Sequence, residues 1–256
     1  MPDGLFDLTG RTALVTGSTR GIGYALARGL LAAGARVVVH GRDEDRAVAA
    51  AAALAGEGAG VTLPAAFDVT SASSVDTGVA RIEAEWGTPD ILVNNAGMQR
   101  RAPVLDFSVA DWDELVATNL TSAFLVSQRV GRGMAERGSG KIVMIGSVQS
   151  RLARPGIAPY SATKGGVVML TRGLCADLGP KGIQANALCP GYIDTELTTA
   201  LVDDAEFSEW VRGRTPAGRW GGVEDLVGAL VFLASAASDF VNGQVLYVDG
   251  GMTAVV

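Results

Sequence analysis

The chain has 256 residues, 48% of them hydrophobic and 19% charged, which excludes a disordered chain and supplies enough apolar material to fold without disulfide staples. At a rough ~150 residues per domain, it holds one large domain or two small ones. The net charge of −6 repels polyanions, so nucleic acid is not an expected partner.

No apolar run reaches the ~18–20 residues that cross a bilayer, and Met1–Arg11 lacks a basic then apolar leader; the expectation is a cytoplasmic protein with no membrane partner. Cys175 and Cys189 sit in apolar surroundings and read as reduced core thiols. With His40 as the one histidine and no clustered cysteines, no metal site is expected. The 34 glycines are about twice the usual ~7% share and are spread along the chain, as tight strand-to-helix turns require.

The first predicted strand, Thr12–Val15, runs directly into Thr16-Gly17-Ser18-Thr19-Arg20-Gly21-Ile22-Gly23 and a helix over Tyr24–Ala33. Gly17 permits a tight turn, Gly21 lets the backbone lie against a pyrophosphate, and Gly23 lets helix and strand pack closely. The helix N-terminus adds free N–H groups and positive dipole, so this segment is a candidate dinucleotide-phosphate loop. The second strand, Arg36–Val39, is followed by Gly41, where an acidic residue would hold the ribose hydroxyls and repel a 2′-phosphate. Gly41 is neutral, and Arg42 and Arg20 can grip a phosphomonoester from two sides, so NADP(H) is expected; the competing reading is two solvated surface charges.

Further strands are predicted at Val61–Ala66, Ile91–Asn94, Ile142–Ile145, Ile183–Ala187 and Gln244–Val248. Apolar throughout rather than alternating, the strands read as covered on both faces, and the segments between them are long enough for helical crossovers. The fold class is α/β: a Rossmann-type, doubly wound, seven-stranded parallel sheet between helix layers, residues 1–256 forming one domain.

Helical patterns over Asp111–Glu136 and Tyr160–Leu178 are apolar on more than one stripe, and Ala162, Gly165 and Gly166 would let a second helix approach, so self-association is expected. Ser147 falls just past the fifth strand, at the sheet end where open α/β folds bind ligands. Tyr160 and Lys164, at i and i+4, share a helix face, and a nearby ammonium favours the phenolate. The three together make a proton-transfer site for a carbonyl or alcohol, although each alone also reads as structural. Between the sixth strand and the last helix, residues 192–222 carry Leu197, Ala200, Leu201 and Trp210 at spacings that suggest short helices, a candidate substrate lid.

In this order and at these distances the motifs resemble a classical short-chain dehydrogenase/reductase along nearly the whole chain. The matching residues are Thr16 to Gly23, Asp68-Val69, Asn94-Asn95-Ala96-Gly97, Asn119, Ser147, Tyr160-x-x-x-Lys164, Pro190-Gly191 and Thr195. The resemblance implies hydride transfer with Tyr160 as acid/base, Ser147 as orienter and Asn119 holding a water in a proton relay. It also implies that Lys164 binds the nicotinamide ribose, that Asp68 and Val69 lie at the adenine, and that Asn94, Asn95, Ala96 and Gly97 line the cofactor region and steady the central strand. Pro190, Gly191, Ile193 and Thr195 would border the nicotinamide, and the assembly would be a homotetramer.

Narrower runs, among them Asn95 to Arg101 and Arg214 to Gly221, are similar to the gluconate 5-dehydrogenase group, which implies D-gluconate and 5-keto-D-gluconate as the substrate pair. Such a polyol acid needs a cationic anchor for its carboxylate. Arg100 and Arg101 follow the fourth strand, and Gln149, Arg151 and Arg154 follow Ser147, so both loops are expected to converge on the cleft. Trp220 reads as a structural plug. Two alternatives share these features: a 3-oxoacyl thioester or broad ketone reductase, and an NADPH-sensing regulator that binds without turnover, against which the complete catalytic set argues.

Overall fold

Short runs of Val, Ile, Leu and Ala become strands here because both sides of every pleat find cover. The computed structural model describes residues 4–57 and 60–256; the first three residues of the Met1–Arg11 stretch lie outside the described residues. The strands are β1 (Thr12–Val15), β2 (Arg36–Gly41), β3 (Thr62–Ala66), β4 (Ile91–Asn94), β5 (Gly140–Ile145), β6 (Ile183–Pro190) and β7 (Val245–Val248). All are parallel in one sheet ordered β3-β2-β1-β4-β5-β6-β7. The helices are α1 (Gly21–Ala32), α2 (Glu44–Gly56), α3 (Ala72–Trp86), α4 (Val109–Val116), α5 (Ser122–Arg137), α6 (Ala158–Leu178), α7 (Thr199–Val202), α8 (Ala205–Arg214) and α9 (Val227–Ala234). None of the described helices is long and apolar enough to cross a membrane.

Alternate residues of each strand enter different cores. Ala13, Val15, Val37, Val39 and Val93 pack with Leu26 and Leu30 of α1 and Leu230 of α9. Leu14, Val38, Leu92, Ile142 and Met144 pack on the opposite face with α3, α5 and α6, through Val79, Val126 and Val167. Each fully buried side chain of this kind contributes about 1.5–3 kcal/mol, which is why polar residues are rare in the central strands.

The register Val15 with Val39 on one side and Val93 on the other levels the carboxyl ends of the central strands. Chain order reverses between β1 and β4, and the crevice beyond that point is where this sheet type takes ligands. β6 runs beyond its predicted end because Leu188, Cys189 and Pro190 pair with Leu246, Tyr247 and Val248. The larger departure concerns the expected helix over Asp111–Glu136. It is interrupted by a π-helical turn at Ala117–Thr121 that separates α4 from α5 and carries Asn119. A single π turn of five residues is too short for apolar periodicity to register, and such turns concentrate at functional sites.

Candidate active site

A cleft of about 750 Å³ opens at the carboxyl ends of the strands. Its floor is the loop from β1 to α1. Gly17 adopts φ +64 and Gly21 φ +55, both in the left-handed region that favours glycine, and a Cβ on Gly21 would meet nothing within 4 Å, so that backbone faces open space. At Gly23 a Cβ would collide with Gly17 O and Asn95 Nδ2 and lie 2.9 Å from Ser18 Cα, the close packing expected of that glycine. Helices α2, α3, α4 and α8 have side-chain caps from Asp43, Ser71, Ser108 and Asp204, whereas α1 begins at Arg20 with none and leaves its first N–H groups free at the cleft.

Asn95 holds this loop: its Nδ2 donates to Thr16 O and Gly17 O at 2.9 Å, while Thr16 Oγ1 accepts from the N–H groups of Asn95 and Ala96 at 3.0 Å. Asn94 steadies β4 from within, donating to Ser127 Oγ at 2.8 Å. Ser18 corrects an expectation. Although it is a loop residue, its side chain turns inward, donating to Val15 O and accepting from His40 N–H, and it does not line the cleft.

His40, which sequence reasoning did not place in the site, is the second anchor. Its Nδ1 accepts from Gly17 N–H at 3.0 Å, its Nε2 donates to Phe67 O at 3.0 Å, and its ring packs on Phe67 at 4.1 Å between centroids. Burial holds it neutral and pushes its pKa down to about 4. The unfolded chain therefore takes up the proton first. Stability linked to His40 is full above about pH 6.5 and is lost as pH falls toward 4, a contribution of about 3 kcal/mol. Urea midpoints at pH 7.5, 5.5 and 4.5 will fall less steeply for His40→Gln than for the parent; parallel declines would remove the assignment.

At the far end of the floor, Thr19, Gly41, Arg42, Asp43, Arg46, Asp68 and Val69 line one wall. Arg42 and Arg46 are exposed along it, and Arg46 was missed because the three intervening residues gave no sign that it faces the same wall as Arg42. Arg20 is in place but carries an ion pair to Glu196 at 3.5 Å across the cleft mouth. The Asp68 carboxyl accepts from Thr70 N and Oγ1 at 2.8 and 2.7 Å, which lowers its pKa and fixes the turn beside the wall.

Ser147, Tyr160 and Lys164 meet at the other end. Ser147, in extended backbone just past β5, accepts from Gln149 N–H at 3.1 Å and lines the cleft beside the Tyr160 phenol. Behind it the Cys189 thiol lies 3.8 Å from Ser150 Oγ, and burial pushes its pKa up; both cysteines are free thiols, Cys189 buried and Cys175 half-buried. Lys164 Nζ donates to Ile145 O at 2.8 Å and stands 5.8 Å from the Tyr160 ring centroid. Burial outweighs the other influences on this pair, lifting the phenol to about 12 and lowering the lysine to about 8. The expected net lowering of the phenol by the ammonium is therefore corrected: Ser147 pulls in that direction, but desolvation prevails.

The Asn119 side chain is also spent elsewhere. Its Oδ1 accepts from Met98 N–H at 2.7 Å and its Nδ2 donates to Met98 O and Thr163 Oγ1 at 3.0 and 3.2 Å, so the amide straps the loop after β4 to α6 rather than reaching into the cleft. Gly97 passes close to it: a Cβ there would lie 3.4 Å from Asn119 Oδ1 and 3.9 Å from Lys164 Nζ.

Of the arginines, Arg100 pairs with Asp111 and Glu114 at 3.4 and 2.8 Å and is not free to hold an anion, a correction to its expected role. Arg151 is exposed and lines a separate recess with Arg172 and Tyr247. Arg101 and Arg154 do converge. They line the cleft with Tyr160 and Tyr192, and desolvation, then the Arg154 charge, lower the Arg101 pKa. Neither has a carboxylate in ion-pair range among the described residues. Gln149 Oε1 and Arg154 Nε are buried without partners.

Pro190, Gly191, Ile193 and Thr195 line the roof with Leu197 and Leu201. The segment beyond contains the short helices expected, α7 and α8, and is clipped at its base by an isolated bridge between Ile193 and Gly221. Trp220 donates to Ser208 Oγ at 2.8 Å and packs 5.7 Å from Tyr192, a plug as expected.

The family model described as enoyl-(acyl carrier protein) reductase matches residues 17–253. The chain is 57% identical to gluconate 5-dehydrogenase of Gluconobacter oxydans over 98% of each chain, and 49% identical to 5-keto-D-gluconate 5-reductase of Escherichia coli over 98% of this chain and 99% of that one. It superposes, with a TM-score of 0.96, 57% identity and 99% of each chain covered, on a gluconate 5-dehydrogenase from Burkholderia cenocepacia crystallised with NADP and tartrate. With the phosphate loop, the parallel sheet and the Ser147, Tyr160 and Lys164 cluster already in place, these matches identify the chain as a member of the short-chain dehydrogenase/reductase family.

Proposed function

We propose that the protein is an NADP(H)-dependent oxidoreductase that interconverts D-gluconate and 5-keto-D-gluconate. The observation that carries this reading is the pair Arg101 and Arg154, two guanidinium groups that line the cleft with Tyr160 and have no carboxylate in ion-pair range among the described residues. An anionic substrate relieves the repulsion between them, and bidentate guanidinium contacts suit a carboxylate. The relatives named for gluconate and its 5-keto form support the same substrate pair.

The floor of the cleft fits a phosphorylated dinucleotide. The open face at Gly21 and the uncapped N-terminus of α1 suit a pyrophosphate, and Arg42 and Arg46 suit a 2′-phosphate beside the neutral Gly41. When bound, the nicotinamide supplies or accepts the hydride. In the reductive direction Ser147 holds the carbonyl oxygen and Tyr160, protonated at neutral pH, delivers the proton as the oxygen becomes an alcohol. Lys164 spends one N–H on Ile145 O, leaving its others for the ribose. The oxidative direction reverses these steps. Segment 192–222 is read as the lid that closes over the substrate, its inner face carrying Leu197 and Leu201. A homotetramer is supported by Phe124 of α5 and Met169 of α6, both exposed; the free thiols suit the cytoplasm.

Absorbance at 340 nm tests the reading directly: NADPH is consumed with 5-keto-D-gluconate, and kcat/KM is higher with NADP+ than with NAD+ in gluconate oxidation. Turnover of a 3-oxoacyl thioester with none of the keto acid, or binding of NADPH without consumption, overturns it. Arg101→Ala and Arg154→Ala will each raise KM for the keto acid about 10- to 100-fold, the loss of one charge-assisted contact. Unchanged KM in both would remove them as anchors.

A further inference from the structure

We infer that Tyr192 determines specificity in this site: its phenol fixes the direction in which Gln149 presents its polar atoms, and it donates to the hydroxyl on the neighbouring carbon that lies on the carboxylate side of the reacting one, C4 of the keto acid. This rests on the polyhydroxy keto acid reading above.

The side chain is rigidly placed. Its ring meets Phe207, Trp210 and Trp220 edge-on at 5.6, 5.9 and 5.7 Å between centroids. The backbone before it has no slack, because a Cβ on Gly191 would lie 2.7 Å from Asp249 Cα. The phenol oxygen accepts from Gln149 Nε2 at 3.3 Å and lies near the Arg154 guanidinium, whose carbon lies 5.2 Å from the Phe207 ring centroid. A hydroxyl that accepts a hydrogen bond still carries its own proton, so Tyr192 has a donor left over.

Two of the three buried, unpartnered side-chain atoms among the described residues line this cleft, and the bond to Tyr192 explains that of Gln149. With Nε2 committed to Tyr192, the Gln149 amide turns Oε1 away from it, and Gln149 is only 8% exposed. Gln149 Oε1 and Arg154 Nε are therefore an acceptor and a donor, buried, unpaired and lining the cleft that holds Ser147 and Tyr160. Buried polar groups of native proteins are nearly always paired, which marks these as awaiting a ligand. An alcohol group satisfies the set: it donates to Gln149 Oε1 and accepts from Arg154 Nε or Tyr192 O–H. A ketone without a neighbouring hydroxyl leaves all of them unpaired, and sites built to bind a hydroxyl reject analogues lacking it by large factors.

The test compares 5-keto-D-gluconate with its 4-deoxy analogue in the parent and in Tyr192→Phe, which keeps the ring and removes the oxygen. The parent will favour the hydroxylated substrate at least about 100-fold in kcat/KM, and Tyr192→Phe will shrink that ratio to about 10-fold or less. NADPH affinity by fluorescence titration will not change. Gln149→Leu, an independent route to the same loss, will shrink the ratio likewise. If both substrates lose in proportion and the ratio survives in either variant, Tyr192 is structural and this inference alone fails. If the parent does not reduce 5-keto-D-gluconate, the functional reading fails and takes the inference with it.

Discussion

Replacing Tyr160 with phenylalanine will lower kcat about 100- to 10,000-fold while leaving NADPH affinity within about twofold, the range expected when a positioned acid/base group is removed and its ring is kept. The phenol lies beside Ser147, shares the cleft with Lys164 and carries a proton through the neutral range. Because burial lifts it to about 12, it is almost wholly protonated at pH 7, which suits delivery of a proton to a carbonyl oxygen. Alcohol oxidation needs the phenolate, whose fraction grows about tenfold per pH unit below that value. In the parent, reduction will therefore be flat through neutral pH and oxidation will climb as pH rises. The two profiles, measured under saturating cofactor, check the sign. A Tyr160→Phe enzyme working at more than a tenth of the parent rate would falsify the assignment.

Much of this arrangement is legible in residue order because it depends on local rules. Strands covered on both faces must be apolar at every position, so β1, β4 and β5 announce themselves. Gly17, Gly21 and Gly23 are required by backbone geometry, and the i, i+4 spacing of Tyr160 and Lys164 follows from the helix repeat. What is not legible depends on which way a loop side chain turns. Arg100 and Arg101 are neighbours, yet one is taken by Asp111 and Glu114 while the other lines the cleft with Arg154. Ser18 lies among loop residues that face the cleft but turns to His40. Asn119 is brought into place by a π turn that an apolar pattern does not betray. The aromatic cluster around Tyr192 draws on Phe207 and Trp210, one turn apart on α8, and on Trp220, all distant from Tyr192 along the chain, so only the folded chain assembles it.

Gly23→Ala is expected to damage cofactor binding more than any conservative change elsewhere in the cleft. The added methyl has no free volume: it would run into Gly17 O and Asn95 Nδ2 and come within 2.9 Å of Ser18 Cα. These are backbone and a committed amide rather than the free end of a flexible chain. Asn95 Nδ2 already donates to Thr16 O and Gly17 O, so moving it releases the loop, and moving Gly17 breaks the bond from its N–H to His40. Overpacking of this kind costs about 1–3 kcal/mol. If α1 shifts outward to relieve it, its free N–H groups leave the pyrophosphate position and the cost falls on binding, about 5- to 150-fold in NADPH affinity. If the loop absorbs it instead, the cost falls on folding and appears as a lower melting temperature. Fluorescence titration with NADPH and thermal unfolding separate the two, and binding is expected to carry the larger share because the cleft side of Gly21 is open and the core side of α1 is not. Gly21→Ala is the control: its Cβ meets nothing within 4 Å but φ is +55, so it will lose stability through backbone strain without the same collision. Equal NADPH affinity in Gly23→Ala and the parent would show that the close approach of α1 to β1 does not set the phosphate site.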